Sequence, residues 1–163
     1  MNSLFIASAT LRAPEALPAS RTPAAKGREL PRYSRGMATV HDVRRIALSL
    51  PGTVERVSRG SLDWRVRDRG FVWERPLRQG DILALGDRAP DGPVFAARTA
   101  DEGVKLALIA DDPAVFFTTP HFDGYNAVLF ELDRIGLAEL TELITEAWLA
   151  RAPRTLVRAF LDT

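Results

Sequence analysis

The alternation of apolar and polar side chains over residues 62–73 constrains the fold of this chain more than any other pattern. Over residues 62–67 every second side chain is apolar, which is the period of a strand with one buried face. Residues 68–70 (Asp-Arg-Gly) predict a hairpin turn, and the apolar run at residues 71–73 begins the returning strand. A hairpin with one apolar face needs a second layer to cover it, so the sequence predicts a sheet with other elements packed on it.

A helix is predicted before this hairpin. Thr39 is a suitable N-cap, and Asp42 follows three residues later in the position of a capping box. Apolar residues then recur at helical spacing until Pro51 and Gly52, which end the helix. Further strands are predicted at residues 82–85, 94–98 and 128–132, and further helices at residues 101–110, 137–148 and 156–161.

These elements and their short connections predict an α+β fold. The order is helix, three or four hairpin-linked strands, helix, strand and helix, which is typical of an antiparallel sheet with helices packed on one face. A chain of 163 residues is long enough for one core and too short for two comfortable domains. We therefore expect one two-layer domain over residues 37–163.

Residues 1–36 differ from the rest of the chain in composition. They show no helical or strand periodicity, contain four prolines, and carry six basic against two acidic residues. Such a segment buries too little apolar surface to offset the entropy of ordering it, so we expect a disordered basic leader. The alternative is that translation starts at Met37, which directly precedes the first predicted helix.

The composition argues against several classes of protein. The chain has no cysteine, which excludes disulfides, thiolate metal sites and a thiol nucleophile, and which fits a cytoplasmic protein. No apolar run approaches the roughly 18 residues of a membrane span, so no membrane partner is expected. The chain has no glycine-rich nucleotide loop and no nucleophile-elbow motif, so neither nucleotide binding through such a loop nor a serine nucleophile is supported. We expect no cofactor, and an enzyme is the third alternative after a DNA-binding protein and a ligand-binding module.

The region of the predicted hairpin is rich in arginine. Seven arginines lie between residues 56 and 78, against three acidic residues, with tryptophan and phenylalanine interleaved. A β-ribbon with basic side chains can follow the phosphates of DNA while aromatic rings stack on bases, so the pattern predicts a DNA-binding surface. The candidate contacts are Arg65, Arg67, Arg69 and Arg75. The alternative is that the aromatic residues face the core and the arginines form a solvated outer face.

A second candidate site is the turn-rich segment at residues 119–126, which opens onto a predicted strand. Histidine side chains titrate near neutral pH, and Asp123 could orient His121 as a general base or a metal ligand. His41 is the only other histidine, so no metal site is expected. The candidates for lining a ligand pocket are His121, Asp123, Tyr125 and Arg98. The alternative is structural, with Asp123 and Gly124 as a turn pair and His121 bonded to backbone.

Five short motifs in a fixed order resemble a known family. They are Leu50-Pro51-Gly52 with Glu55, Arg69-Gly70-Phe71, Val94-Phe95-Ala96-Ala97-Arg98-Thr99, Pro120-His121-Phe122-Asp123-Gly124-Tyr125 and Glu146-Ala147-Trp148. Through these motifs, residues 39–161 resemble the MmcQ/YjbR family of small bacterial proteins. Arg69 stands where the family usually has lysine, and Tyr125-Asn126 stands where many members have tryptophan.

The resemblance implies a compact α+β domain, similar in shape to type III secretion chaperones, with hairpins described as a double wing. Members are commonly labelled DNA-binding, which implies a DNA-binding protein that uses the hairpin at residues 56–78. The competing class is a small-molecule-binding or protein-binding module without enzymatic activity, which would use a pocket near His121.

Overall fold

Six strands form one open antiparallel sheet in the computed structural model, which describes residues 37–163. In chain order the strands are β1 (Thr53–Ser58), β2 (Ser61–Val66), β3 (Arg69–Glu74), β4 (Val94–Arg98), β5 (Phe116–Phe117) and β6 (Ala127–Glu131). Across the sheet they lie in the order β1-β2-β3-β4-β6-β5, and every neighbouring pair is antiparallel. The helices are α1 (Val40–Ser49), α2 (Gln79–Leu85), α3 (Glu102–Asp111), α4 (Leu137–Arg151) and α5 (Arg154–Leu161). The predicted α+β fold is confirmed, and the leader predicted at residues 1–36 lies outside the described residues.

Two tight hairpins join the first three strands. Arg59 and Gly60 connect β1 to β2 with φ angles of 52° and 84°, and Arg67 and Asp68 connect β2 to β3 with φ angles of 49° and 67°. Positive φ at both central residues is the type I′ geometry, whose twist matches that of the flanking strands. The predicted hairpin is confirmed, but its turn begins one residue before the predicted one, and Arg69 is already part of β3.

The main core lies on one face of the sheet, where helices α1, α3, α4 and α5 pack. Its largest fully buried side chains from sheet and helix are Trp64, Phe71, Phe95, Phe116, Phe130, Leu140, Ile144 and Trp148. Burying each of these contributes about 1.5–3 kcal/mol to the free energy of unfolding. Trp64 and Val66 point into this core, so Asp63 and Arg65, which alternate with them, fall on the opposite face.

The opposite face of the sheet is only partly covered. Trp73, Val94, Ala96 and Leu129 of the sheet pack there against Leu77 and Phe122. Leu77 precedes α2, and Phe122 ends a short 3-10 turn formed by Pro120–Phe122. The remaining open part of this face, over the β2–β3 hairpin, is where a groove forms.

Most predicted elements are confirmed within one or two residues, but the strand predicted at residues 82–85 is wrong. These residues form the last turns of α2. The carboxylate of Asp81 accepts a hydrogen bond from the Arg78 amide at 2.8 Å and thereby stabilises the start of the helix. A four-residue apolar run does not distinguish a strand from a short helix, and Ile82 and Leu83 are in fact 44% and 72% exposed. Strands β1 and β5 are not predicted, because the two valines of β1 stand three residues apart and do not alternate with polar residues, and because β5 has only two residues.

Candidate ligand-binding groove

A groove of about 760 Å³ lies on the partly covered face of the sheet. Its floor is formed by the β2–β3 hairpin, including Asp63, Gly70 and Trp73. Residues 75–78 line it on the way to α2, and the loop that carries His121, Phe122 and Tyr125 lines it as well, together with Arg151 at the end of α4. The groove thus combines the two regions that the sequence marks as separate candidate sites, the arginine-rich hairpin and the histidine loop.

The histidine loop is held in place by a buried lysine. Lys105 of α3 is only 1% exposed, and its Nζ donates hydrogen bonds to the carbonyl oxygens of Phe122 and Tyr125, the latter at 2.9 Å. Gly124, with φ of 75°, allows the chain to turn between these two carbonyls. Sequence reasoning missed Lys105. The signal that could have found it is its rarity, because the chain has only two lysines among 22 basic residues.

The three pocket candidates on the histidine loop differ in whether they line the groove. His121 and Tyr125 line the groove, whereas Asp123 does not. His121 is exposed, and its ring meets the ring of Phe122 edge-on at a centroid distance of 5.3 Å. Within residues 37–163 it makes neither an ion pair with Asp123 nor a hydrogen bond to backbone. The loop therefore presents an imidazole to the groove without a group that orients it for proton transfer.

Three of the four hairpin arginines are held by groups of the protein itself. Arg65 donates to the carboxylate of Asp63 at 2.7 Å, and Arg69 donates to the carbonyl of Arg151 at 3.2 Å. Arg75 is 7% exposed and forms an ion pair with Asp81 at 3.0 Å. The fourth candidate, Arg67, is exposed in the β2–β3 turn.

The ion pair between Arg75 and Asp81 fixes one side of the groove. Burial alone would raise the pKa of the Asp81 carboxyl, but the Arg78 amide and the Arg75 guanidinium hold its pKa below the ordinary value. Arg75 also donates to the carbonyl of Pro76 at 2.6 Å and lies over the ring of Phe122 at 5.2 Å. Arg75 therefore contacts and links the hairpin, α2 and the histidine loop.

A second group of arginines surrounds Tyr125. The guanidinium of Arg98, at the end of β4, lies 4.8 Å from the centre of the Tyr125 ring. Burial, followed by the nearby charges of Arg98 and Arg69, lowers the pKa of Arg151 from its ordinary value. Arg98, the remaining pocket candidate from the sequence, thus lies beside the groove through Tyr125.

Residues 37–163 contain neither a candidate metal site nor a candidate membrane span. No group of three or more histidine, aspartate or glutamate side chains is placed there to hold a metal ion. None of the helices in this range combines the length and the apolar character needed to cross a lipid bilayer.

The model of the YjbR family matches residues 48–150, which include both hairpins, Lys105 and the histidine loop. The chain belongs to the YjbR family. The uncharacterized proteins Mb2600 of Mycobacterium bovis and Rv2570 of Mycobacterium tuberculosis are each 55% identical to it over 128 residues, which is 77% of this chain and 97% of theirs. The crystal structure of Deinococcus radiodurans protein DR2400, a DUF419 domain, is similar in fold, with a TM-score of 0.53 and 21% identity over 69% of this chain and 78% of that one.

Two of the YjbR-like motifs have structural roles away from the groove. The carbonyl of Pro51 accepts a hydrogen bond from the indole of Trp148 at 3.0 Å, which ties the end of α1 to α4. Glu55 accepts from the indole of Trp64 at 3.0 Å and from Arg44 at 2.8 Å, and the bond from Arg44 lowers the pKa of this carboxyl. These motifs stabilise the YjbR fold, whereas the histidine-loop motif also reaches the groove.

Proposed function

We propose that this YjbR protein binds a small molecule in the groove. The observation that carries the proposal is the convergence of the β2–β3 hairpin and the histidine loop on one concave surface of about 760 Å³. Sites for small organic molecules typically have volumes of about 300–1,000 Å³ and combine an apolar surface with a few fixed polar groups. Trp73 and Leu77 supply apolar surface here, and the polar groups of the lining include Arg151, His121 and the carboxylates of Asp63, Asp68 and Glu74.

The state of the hairpin arginines supports a groove rather than a nucleic-acid surface. Arg65 and Arg75 are neutralised by neighbouring carboxylates, so they contribute little net charge toward phosphates. Arg59 and Arg67 lie in the turns at opposite ends of β2, which are about 20 Å apart at the usual rise of a strand. Arg69, which is also exposed, lies near Arg67 and not near Arg59, so the exposed arginines do not form the continuous basic row that would follow a DNA backbone.

Binding without catalysis is the form of function that the groove supports. His121 is the candidate for proton transfer, and it has no carboxylate within ion-pair distance among the described residues. Ser58 and Ser61 also line the groove, but neither has a histidine bonded to it that would activate a hydroxyl. We therefore propose a binding protein and assign no reaction to the groove.

A blocking substitution tests the proposal. Ser58 lines the groove at the end of β1, whereas Val57 is 70% exposed on the same strand and does not line it. We expect Ser58→Trp to weaken binding of the dyes 8-anilinonaphthalene-1-sulfonate and N-phenyl-1-naphthylamine at least tenfold, because the indole occupies the groove. The matched variant Val57→Trp should bind as the wild type does, and both affinities are measured by isothermal titration calorimetry.

Two results would contradict a small-molecule groove. One is that neither dye binds. The other is that Ser58→Trp binds both dyes as tightly as Val57→Trp does. DNA binding through the hairpin stays a prediction, and it would be supported if replacing Arg65, Arg67 and Arg69 together weakened duplex binding and flattened its dependence on salt concentration.

A further inference from the structure

Arg151 lies near two other arginines, Arg69 and Arg98, and we call these three residues the arginine cluster. They are brought from distant parts of the chain, at the start of β3, the end of β4 and the end of α4. Arg69 donates to the carbonyl of Arg151 at 3.2 Å, and Arg98 lies over the ring of Tyr125 at 4.8 Å. Arg151 and Tyr125 both line the groove, so the cluster adjoins the space in which a ligand would lie.

The arginine cluster has no counter-charge within the described part of the chain. Among residues 37–163, Arg44, Arg65 and Arg75 each have a carboxylate oxygen within 4.0 Å, but none of the three cluster arginines has one. The Nε atoms of Arg98 and Arg151 are buried and have no hydrogen-bond partner there. Buried donors without an acceptor are unusual in folded proteins, and each one needs a physical explanation.

The electrostatics of the cluster agree with its geometry. Burial, and then the charges of Arg98 and Arg69, lower the pKa of Arg151, so its protonated form is less favoured here than in water. Arginine nevertheless stays protonated in proteins, and the cluster therefore concentrates positive charge that an anion would relieve. Guanidinium groups bind carboxylates and phosphates through paired hydrogen bonds, and the Arg151 side chain of the cluster lines the groove.

We infer that the arginine cluster holds the anionic group, a phosphate or a carboxylate, of a small ligand whose apolar body lies against Trp73 in the groove. This inference rests on the proposed function, because it names the chemical class of the ligand that the groove takes. Trp73 lines the same groove as Arg151 and is only partly buried, so part of its side chain is accessible to a ligand. A flat apolar molecule with one acidic group therefore satisfies both parts of the site.

Two dyes with the same aromatic body test the role of the charge. 8-Anilinonaphthalene-1-sulfonate carries an anionic group that N-phenyl-1-naphthylamine lacks. We expect the wild-type full chain to bind the anionic dye at least tenfold more tightly than the neutral one in calorimetry at fixed salt. Arg98→Gln and Arg151→Gln should each weaken binding of the anionic dye at least tenfold and change binding of the neutral dye less than twofold.

A neighbouring arginine provides the matched control. Arg154, at the start of α5, is exposed, does not line the groove, and lies three residues after Arg151. Arg154→Gln should leave both affinities unchanged. If it weakens the anionic dye as much as Arg151→Gln does, the effect is one of overall charge and the inference is wrong.

Competition on the wild-type protein tests the inference without any substitution and separates the two possible anions. Displacement of the anionic dye is compared for 1-naphthyl phosphate, 1-naphthoate and the neutral 1-naphthylmethanol. We expect at least one of the two anions to displace it tenfold more effectively than the alcohol, and the better one identifies phosphate or carboxylate. Equal displacement by all three overturns the anion site but leaves the groove as a binding site, whereas binding of neither dye overturns the proposed function itself.

Discussion

Lys105 is the residue whose role is clearest from its contacts. It is almost fully buried, and its ammonium group supplies the hydrogen-bond donors for two carbonyls of the histidine loop. Arginine provides nearly all the other positive charge of the chain, but a planar guanidinium is larger than an ammonium group and differs from it in geometry. A compact donor at this position sets the path of the loop and hence one side of the groove.

Replacing Lys105 by methionine tests this role. The substitution keeps most of the apolar stem of the side chain but removes the ammonium group that donates to the carbonyls of Phe122 and Tyr125, each of which keeps one hydrogen bond from a backbone amide. We expect the free energy of unfolding to fall by about 1–3 kcal/mol, measured by urea denaturation. Leu106→Met, at a neighbouring position that is 53% exposed, should change it by less than about 0.5 kcal/mol. An unchanged midpoint for Lys105→Met would mean that water replaces the ammonium group.

At the scale of elements, the β2–β3 hairpin carries a backbone conformation that its residues do not favour. Arg67 and Asp68 both have positive φ, which asparagine and glycine adopt at lower cost than arginine and aspartate do. We expect the double variant Arg67→Asn, Asp68→Gly to raise the free energy of unfolding by about 1 kcal/mol. The lost ion pair between Arg56 and Asp68 is exposed and should offset little of this gain.

The β1–β2 turn supplies the comparison for this prediction. It already has Gly60 at its second position, so Arg59→Asn alone should stabilise the domain less than the double variant does. Both are measured by chemical denaturation. A double variant no more stable than wild type would mean that the strands, rather than the turn, determine the energy of this hairpin.

The elements themselves could largely be predicted from the sequence, because their signals are local. The capping box at Thr39 and the alternation around Trp64 each lie within a few residues, and both are seen in the structure. Helix α2 could not be predicted, because its start depends on contacts that are made only in the folded chain. The carboxylate of Asp81 accepts a hydrogen bond from the Arg78 amide and is also paired with the Arg75 guanidinium, six residues earlier. The groove and the arginine cluster could not be predicted in full, since Arg69 and Arg151 are 82 residues apart and meet only in the folded chain.

At the scale of the whole molecule, the acidic junction between α3 and α4 makes stability depend on pH. Burial raises the pKa of Glu139, in the first turn of α4, and the charges of Asp112, Asp111 and Glu142 raise it further. A carboxyl whose pKa is higher in the folded than in the unfolded state binds its proton more tightly in the folded state. Its ionisation therefore destabilises the domain at neutral pH, and the lost stability returns as the pH falls through the raised pKa toward the unfolded value.

Glu139→Gln should remove this dependence on pH. We expect the variant to be more stable than wild type at pH 7, by up to about 1 kcal/mol. The difference should disappear below about pH 4, where the wild-type carboxyl is protonated in both states. Thermal unfolding at several pH values measures both effects. Glu146→Gln, at an exposed position of the same helix, serves as the control, and an equal gain there would attribute the effect to net charge alone.

The hydrogen bond between Trp148 and Pro51 joins groups 97 residues apart, and this has a consequence for synthesis on the ribosome. All six strands are translated before α4, which supplies five of the buried side chains of the core. Until that helix emerges, the apolar face that carries Trp64 and Phe71 has no α4 to cover it. We therefore expect nascent chains that stall before residue 137 to be bound by chaperones or degraded, because an uncovered apolar sheet is prone to aggregate.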